Sequence, residues 1–487
     1  MTIGFNEVPS AMRVPFVYVE IDNSNAVSGP ALMPYRTLVC GQKLAAGAQA
    51  PLVPVRVTSA QQAVALFGAG SMLAQSCATY LAADPTTEMY AIAVEDAPAG
   101  QAATGKVALT GAATEGGTLA LYIGGRRILC GVTSGQQAAA VATALAAAIN
   151  AVPDCPCNAS ATAGDVTLTS RHKGLAGNGI DVRLNYNGES TPAGLMVAIT
   201  AFAGGTASPD VAPLIAALGD AHWNVLVWPW TDAASLTAIE RELMDRWGAL
   251  RMIEGVAISA ATGTHAELGT LGDGRNSQHL TVMHCHGVPT PAWEVAASTA
   301  AVAAYYGNID PARPFQTLEL KGVLPPAQKD RFTQRENNLL LFDGISTFYV
   351  DAGGAVRVQR LITTYKTSPN GAEDPSYLDL NTVLTLGYLR YDFRNYILRK
   401  YPRHKLADDN ARFGAGQPVI TPKVGKAEAI ARARMWEEMG LVENVDAFAQ
   451  QVICERNQRD RNRLDWMLPP DLVNQFCVGG VKLSFIL

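Results

Sequence analysis

Two short clusters in this chain carry side chains that could bind a metal or run thiol chemistry. His284-Cys285-His286 would place both imidazoles on one face of a strand, and Cys155-Pro156-Cys157 sets two thiols two residues apart. Each cluster supplies two ligands, whereas a closed zinc site takes four and an open one three. No further ligand cluster lies near either in sequence, so both read as core or loop packing. The eight cysteines (40, 77, 130, 155, 157, 285, 454 and 477) are scattered, and free Cys behaves as a small buried hydrophobe.

Phosphate and acyl chemistry fare no better. No G-x-x-x-x-G-K-[ST] is present, and FGAGSM (Phe67 to Met72) lacks the third glycine of a dinucleotide fingerprint. KGLAGNGID (Lys173 to Asp181) precedes a strand where a phosphate loop would open a helix. There is no G-x-S-x-G elbow, and no spacing of Ser, His and Asp singles out a nucleophile. Catalytic, cofactor and metal residues are therefore assigned as none.

The densest charge lies in RYDFRNYILRKYPRHKLADD, residues 390 to 409, with Arg390, Arg394, Arg399, Lys400, Arg403 and Lys405. The chain as a whole has a formal net charge of -5 and a pI near 5.9, which argues against phosphate neutralisation as its main business. Helical phasing accounts for much of the stretch. From Asn381 as N-cap, Leu386, Leu389, Phe393, Tyr396 and Ile397 make one apolar face, the last cations suit the helix C-terminus, and Pro402 stops the helix at about Tyr401. Three readings stay open: a solvated edge, a contact to the acidic surface of another subunit or partner, and, least supported, nucleic acid.

The elements that must position these residues follow an α/β rhythm. At 487 residues the chain is long enough for several domains. YRTLVCG reads as a strand, SAQQAVALFGAGSMLAQSCATYLAAD as two helices broken at Gly68 and Gly70, and EMYAIAVED as another strand. From about Ala99 the composition turns to Gly, Thr and Ala with short alternating strands. TLALYIGGRRILCGV predicts a hairpin turning at Gly124 and Gly125. An Ala-rich helix follows, then strands in DVTLTSR, IDVRLNY and MVAITAFAGG.

After Gly205 the alternation resumes: helix DVAPLIAALG, strand WNVLVWPW, helix DAASLTAIERELMDRWG, strand MIEGVAISA, a polar Gly-rich stretch, strand HLTVMHC and helix PAWEVAASTAAVAAYYG. Such alternation predicts a doubly wound, mostly parallel sheet covered on both faces. A compact α+β region follows, with the basic helix, a second helix KAEAIARARMWEEMG, a strand around FAQQVICERN and a last strand VGGVKLSFIL.

Both ends resemble strands that lack a sheet. VPFVYVEI, with Val14, Phe16, Val17, Tyr18, Val19 and Ile21, opens the chain, and Val481, Leu483, Phe485 and Leu487 end it on one face at period two. An apolar strand at a terminus is an aggregation hazard unless something pairs with it. The first residues lack a cationic start before an apolar run, so no secretory signal is read. The Ala-rich run from Gln136 is too short and too polar for a membrane span.

YPRHKLADD, PAWEVAASTAAVAAYYGNIDPARPFQTLELKGV, RFTQRENNLLLFDGIST, VQRLITTYKT and the end pattern RNRLDWMLPPDLVNQF with VKLSFIL together resemble the tail sheath proteins of contractile phages of the Mu-like type. The likeness is densest over residues 279 to 487. It implies a structural machine: hexameric rings stacked around a tail tube, assembled on a baseplate in the host cytoplasm, which contract to drive the tube through a bacterial envelope. The location implied is the virion. The partners implied are further copies of the chain, the tail tube protein, and baseplate and tail terminator proteins, with no direct nucleic acid and no membrane insertion. The sheath of a phage-derived bacteriocin or other contractile injection system is the nearest rival, and an α/β hydrolase the rival of another class.

The resemblance also implies a fold: a subtilisin-like but non-catalytic α/β core, a small α+β insertion, and an α+β C-terminal domain with extended terminal strand arms. The expected layout is an N-terminal arm over 1–34, core over 35–98, a β-rich surface insertion over 99–205, core over 206–366, an oligomerisation domain over 367–477 and an arm over 478–487. The arms are expected to complete the sheet of a neighbour's C-terminal domain. Tube-facing or intersubunit charge is expected either on the 381 to 401 helix and the residues after it or on the 425 to 439 helix, which carries Lys426, Arg432 and Arg434.

Overall fold

The structure, a computed structural model, describes residues 33–414 and 416–486. The expected N-terminal strand at Val14 to Ile21, and Leu487, lie outside these residues. Internal contacts divide the chain into a larger unit (34–387, 436–444 and 470 onward) and a smaller one (388–435 and 445–469).

The larger unit opens with β1 (Arg36–Gln42), a short β2 (Val55–Arg56), α1 (Ala60–Phe67), α2 (Met72–Ala83) and β3 (Glu88–Val94). Both helices start on a serine: Ser59 accepts from the Gln62 N–H and Ser71 from the Ala74 N–H. Gly68 and Gly70 make the break between them with φ of 91° and 76°. A Cβ on Gly70 would lie 2.8 Å from Arg171 Nε and from the Cys155 carbonyl, so the turn requires glycine twice over.

The insertion follows as β4 (Ala102–Gly111), β5 (Gly117–Ile123), β6 (Arg126–Val132), α3 (Ala138–Asn150), β7 (Cys157–Thr162), β8 (Asp165–Lys173), β9 (Val182–Leu184) and β10 (Leu195–Ala203). It forms two antiparallel sheets, ordered β10-β4-β8-β7 and β6-β5-β9. Their core holds Leu119, Leu121, Val141, Leu145, Ile149, Val166 and Leu168. The expected hairpin turns where predicted, Gly124 and Gly125 both adopting positive φ as a two-residue turn of this hand requires.

The core resumes with α4 (Ala212–Ala217), β11 (Val225–Val227), α5 (Ala233–Trp247), β12 (Val256–Ala261), α6 (His265–Asp273), β13 (Leu280–His284), α7 (Ala292–Ile309), α8 (Gln334–Phe342), β14 (Thr347–Val350) and β15 (Val356–Arg360). Six strands form the main sheet in the order β13-β12-β11-β1-β3-β2, parallel except for β2 at the edge. Alternate residues of these strands enter two separate cores. Val39, Ala91, Val225, Val227 and Ile258 pack with residues of α1, α2 and α7. Leu38, Cys40, Ile92, Leu226, Ala257 and Leu280 pack with residues of α4, α5, α6 and α8. The sheet is therefore covered on both faces, which is why its strands read as nearly continuous apolar runs.

The rest of the chain supplies α9 (Leu380–Lys400), β16 (Lys405–Leu406), β17 (Val419–Ile420), α10 (Pro422–Glu438), β18 (Val442–Glu443), α11 (Val445–Gln451), β19 (Ile453–Arg456), β20 (Leu464–Met467) and β21 (Asp471–Leu472). Three expectations are corrected. Asn381 is inside α9 and donates from Nδ2 to the carbonyls of Pro311 and Arg313, both at 2.8 Å, so it is not the N-cap. The stretch between β12 and β13, read as polar and Gly-rich with no element assigned, contains α6. The strand expected around FAQQVICERN divides into α11 and β19, because an i, i+3 apolar spacing at Val445 and Phe448 buries one helical face first.

Candidate functional site

The two histidines of the HCH cluster do not converge as ligands. His284 ends β13, fully buried and stacked on Phe348 at 4.3 Å, while His286 stacks on Phe332 at 4.3 Å and its Nδ1 lies 2.8 Å from the Gly263 carbonyl. Both ring nitrogens of His284 are buried without a hydrogen-bond partner among the described residues, and burial, with the nearby His286 and His265, carries its pKa down to about 3. Cys155 and Cys157 face each other at 3.7 Å between sulfurs. Among the described residues, no group of three or more His, Cys, Asp or Glu side chains is placed to hold a metal ion. No described helix is long and apolar enough to cross a membrane.

Charge is where the structure departs from uniformity. Residues 388–435 and 445–469 contain 15 Lys and Arg against 8 Asp and Glu, a net of +7 in a chain whose net is -5. Inside this smaller unit, α9 and α10 pack on the β19–β20 hairpin. Phe393 meets Trp466 edge-on at 6.0 Å, and Trp466 Nε1 donates to the Gly425 carbonyl at 3.1 Å. A Cβ on Gly425 would stand 2.7 Å from Cys454 Sγ, so glycine is what lets α10 approach the hairpin.

The cations read from the sequence as one set separate into two. Arg432 is buried, with Nε donating to Asp392 Oδ2 at 2.5 Å and a second guanidinium nitrogen to Oδ1. Its charge is spent inside the unit, so its assignment as a tube-facing or intersubunit residue is corrected. Lys400 donates to Glu428 Oε2 at 2.8 Å, where Tyr396 also donates, and Tyr401 donates to Oε1 at 2.5 Å, which ties α9 to α10. Burial pushes the Glu428 carboxyl up, but the bonds from Lys400, Tyr396 and Tyr401 hold it below the usual range, as a carboxylate. Arg390 and Lys426 are half-buried. Arg394, Arg399, Arg403, Lys405 and Arg434 are exposed.

The C-terminal segment belongs to the larger unit. Its root is fastened: β21 pairs antiparallel with β18, Gln475 Nε2 donates to the Ala312 carbonyl at 3.2 Å, and Gln316 Nε2 to that of Phe476 at 2.9 Å. Among the described residues beyond the root no strand forms within the subunit; the expected arm strand over 478–487 is one that pairs with a neighbour. Val481, Leu483 and Phe485 stand 86%, 90% and 83% exposed. A strand cannot form there without a partner to supply its ladder.

A family model described as the phage tail sheath protein central domain matches residues 204–364, and one for the phage tail sheath C-terminal domain matches 372–478. The Mu-like prophage FluMu tail sheath protein of Haemophilus influenzae is 42% identical over 488 residues, covering all of both chains. Among solved structures, sheath tail proteins of Desulfitobacterium hafniense and Listeria innocua each share 13% identity at a TM-score of 0.49, covering 94% and 90% of this chain and 100% and 95% of theirs. The anti-feeding prophage baseplate in the contracted state contains a chain similar at 12% identity and a TM-score of 0.48, covering 99% of this chain and 98% of that one. On two matched domains and a full-length relative, the chain belongs to the phage tail sheath family.

Proposed function

We propose that this chain is the repeating subunit of a contractile tail sheath, polymerising as stacked hexameric rings around a tail tube and contracting to drive the tube through an envelope. The observation that carries this is the C-terminal segment, whose alternating apolar side chains stay in solvent while the chain before it is fastened down. A segment of that pattern has no role in an isolated subunit and a direct one in a lattice, as a strand added to a neighbour. The β19–β20 hairpin, with only two strands and with Ile453 and Met467 about half exposed, is the edge it fits. We assign the N-terminal stretch from Val14 to Ile21 to a second arm.

The α/β core serves as scaffold, and we take its relation to subtilisin to be one of chain path without catalysis. Exposed cations of the smaller unit, Arg394, Arg399, Arg403, Lys405 and Arg434, face an acidic surface of the tube or of another subunit. Charge at such a rim steers and registers association more than it adds affinity. Contraction is the exchange of one packing of rigid units for another of lower energy, with the arms staying paired. Negative-stain electron microscopy of the purified chain beside a variant ending at Val478 tests the reading. Tubes from the full chain and none from the truncation support it, and globular particles from both at high concentration overturn it.

A further inference from the structure

We propose that Cys155 and Cys157 form an oxidation site, a dithiol that a small peroxide converts to a disulfide within the loop and that small thiols return to the reduced state. The two sulfurs are already in contact at 3.7 Å. Both side chains are fully buried, while Pro153 and Asp154, just before them in sequence, are exposed, so the proposed reaction proceeds through a local opening of this turn.

The pair is chemically asymmetric. The hydrogen bond from Cys157 holds the Cys155 thiol below its ordinary range against burial, helped by the guanidinium groups of Arg171 and Arg126. The same bond and burial push Cys157 up. Cys155 is thus the nucleophile and Cys157 the resolving thiol. Cys40, Cys77 and Cys285 are driven far the other way by burial, and Cys454 up to about 12.

The reaction balances in two steps. The Cys155 thiolate attacks one peroxide oxygen, the O–O bond breaks, and sulfenic acid and hydroxide result. Cys157 then attacks that sulfur, the S–O bond breaks and water leaves. In sum, two thiols and hydrogen peroxide give one disulfide and two waters.

Closing the sulfurs from 3.7 Å to about 2.05 Å moves a loop that bridges the insertion and the core. Arg171 Nε donates to the Cys155 carbonyl at 2.7 Å, and Gln75 Nε2 to the Asp154 carbonyl at 2.5 Å. Arg126 reaches Asp154 at 3.2 Å and also pairs with Glu294 of α7. Oxidation therefore acts where the inserted sheets are tied to α2 and α7.

The test is a peptide map of the full chain after hydrogen peroxide, denaturation and alkylation. The expected result is a peptide over residues 155–157 that escapes alkylation at both cysteines, is lighter by two hydrogens, and forms about tenfold faster than Cys454 or Cys477 is lost. Dithiothreitol restores both thiols. In Cys157→Ser, Cys155 is labelled by a sulfenic-acid-directed dione, and Cys155→Ser removes the reaction. A wild-type map in which 155 and 157 stay alkylated while Cys454 or Cys477 oxidises first overturns the proposal without recourse to any variant.

Discussion

Arg432 on α10 and Asp392 on α9 form a two-bonded ion pair in the interior of the smaller unit, 40 residues apart in sequence, with neither side chain more than 4% exposed. Removing one partner leaves the other as an uncompensated buried charge, which costs about 3–5 kcal/mol. Arg432→Met should therefore lower the stability of the purified chain by that order in denaturant melts. Combining it with Asp392→Leu should recover most of the loss, since an apolar pair of similar volume replaces a buried ion pair at little cost. A double variant no more stable than the single one would show that the pair is not what destabilises.

Exposed cations on the same helices should behave differently. Arg394→Glu, Arg399→Glu and Arg434→Glu each remove a side chain open to solvent, and such changes usually stay within about 0.5 kcal/mol of wild type. Their effect is expected in assembly: tubes that form without the inner tube protein but fail to cosediment with it at low salt, the deficit against wild type narrowing as salt rises. Wild-type cosedimentation of the triple variant would remove these residues from the interface.

The buried, unpartnered imidazole of His284 gives the core an acid sensitivity. Its pKa falls from 6.5 to about 3 on folding, so between those values the unfolded chain binds a proton that the folded chain does not. Stability is full above about pH 6.5 and falls as pH drops toward 3, by up to about 1.4 kcal/mol per unit. His284→Leu keeps the contact with Phe348 and should flatten the melting temperature between pH 7 and 5. An unchanged pH slope in that variant would assign the acid sensitivity to other groups.

Much of the fold is legible in the chain because its strongest signals are local. The β1 and β3 runs, the two serine-capped helices and the Gly124-Gly125 hairpin each carry their own period or turn chemistry. The strands β4 and β7 do not: AATGKVALTG and CNASAT are small and polar, and only pairing with β8 and β10 makes them strands. Arg432 was read as surface charge because nothing within its own helix shows Asp392, and the alternating pattern at the C-terminus forms no strand among the described residues of one subunit. The basic helix was placed to within a residue or two, while its cap was misassigned because Asn381 bonds carbonyls 68 to 70 residues away.

Two helices were missed although their start signals are explicit. Thr264 with Glu267 and Thr333 with Glu336 form complete capping boxes at the starts of α6 and α8. Glycines within α6 and the polar start of α8 masked them. Thr333→Ala should cost about 1 kcal/mol and Thr333→Ser far less, read as melting shifts of the full chain. Equal losses in both variants would mean that packing of the methyl group, and not the cap, is what matters.

The sharpest test of the arm uses its alternation. In a strand added to a neighbour, Leu483 and Phe485 face the same side and Lys482 and Ser484 the other. Because both apolar side chains are almost fully exposed in the single subunit, Leu483→Asp and Phe485→Asp should leave its melting temperature unchanged. In the polymer each removes an apolar burial worth about 1.5–3 kcal/mol and sets a carboxylate against an apolar surface, repeated in every subunit, so tubes should be lost. Lys482→Asp and Ser484→Asp add the same charge on the opposite face and should still give tubes. If all four variants abolish polymer equally, the segment acts through net charge or general stickiness, and strand addition with a defined register is excluded.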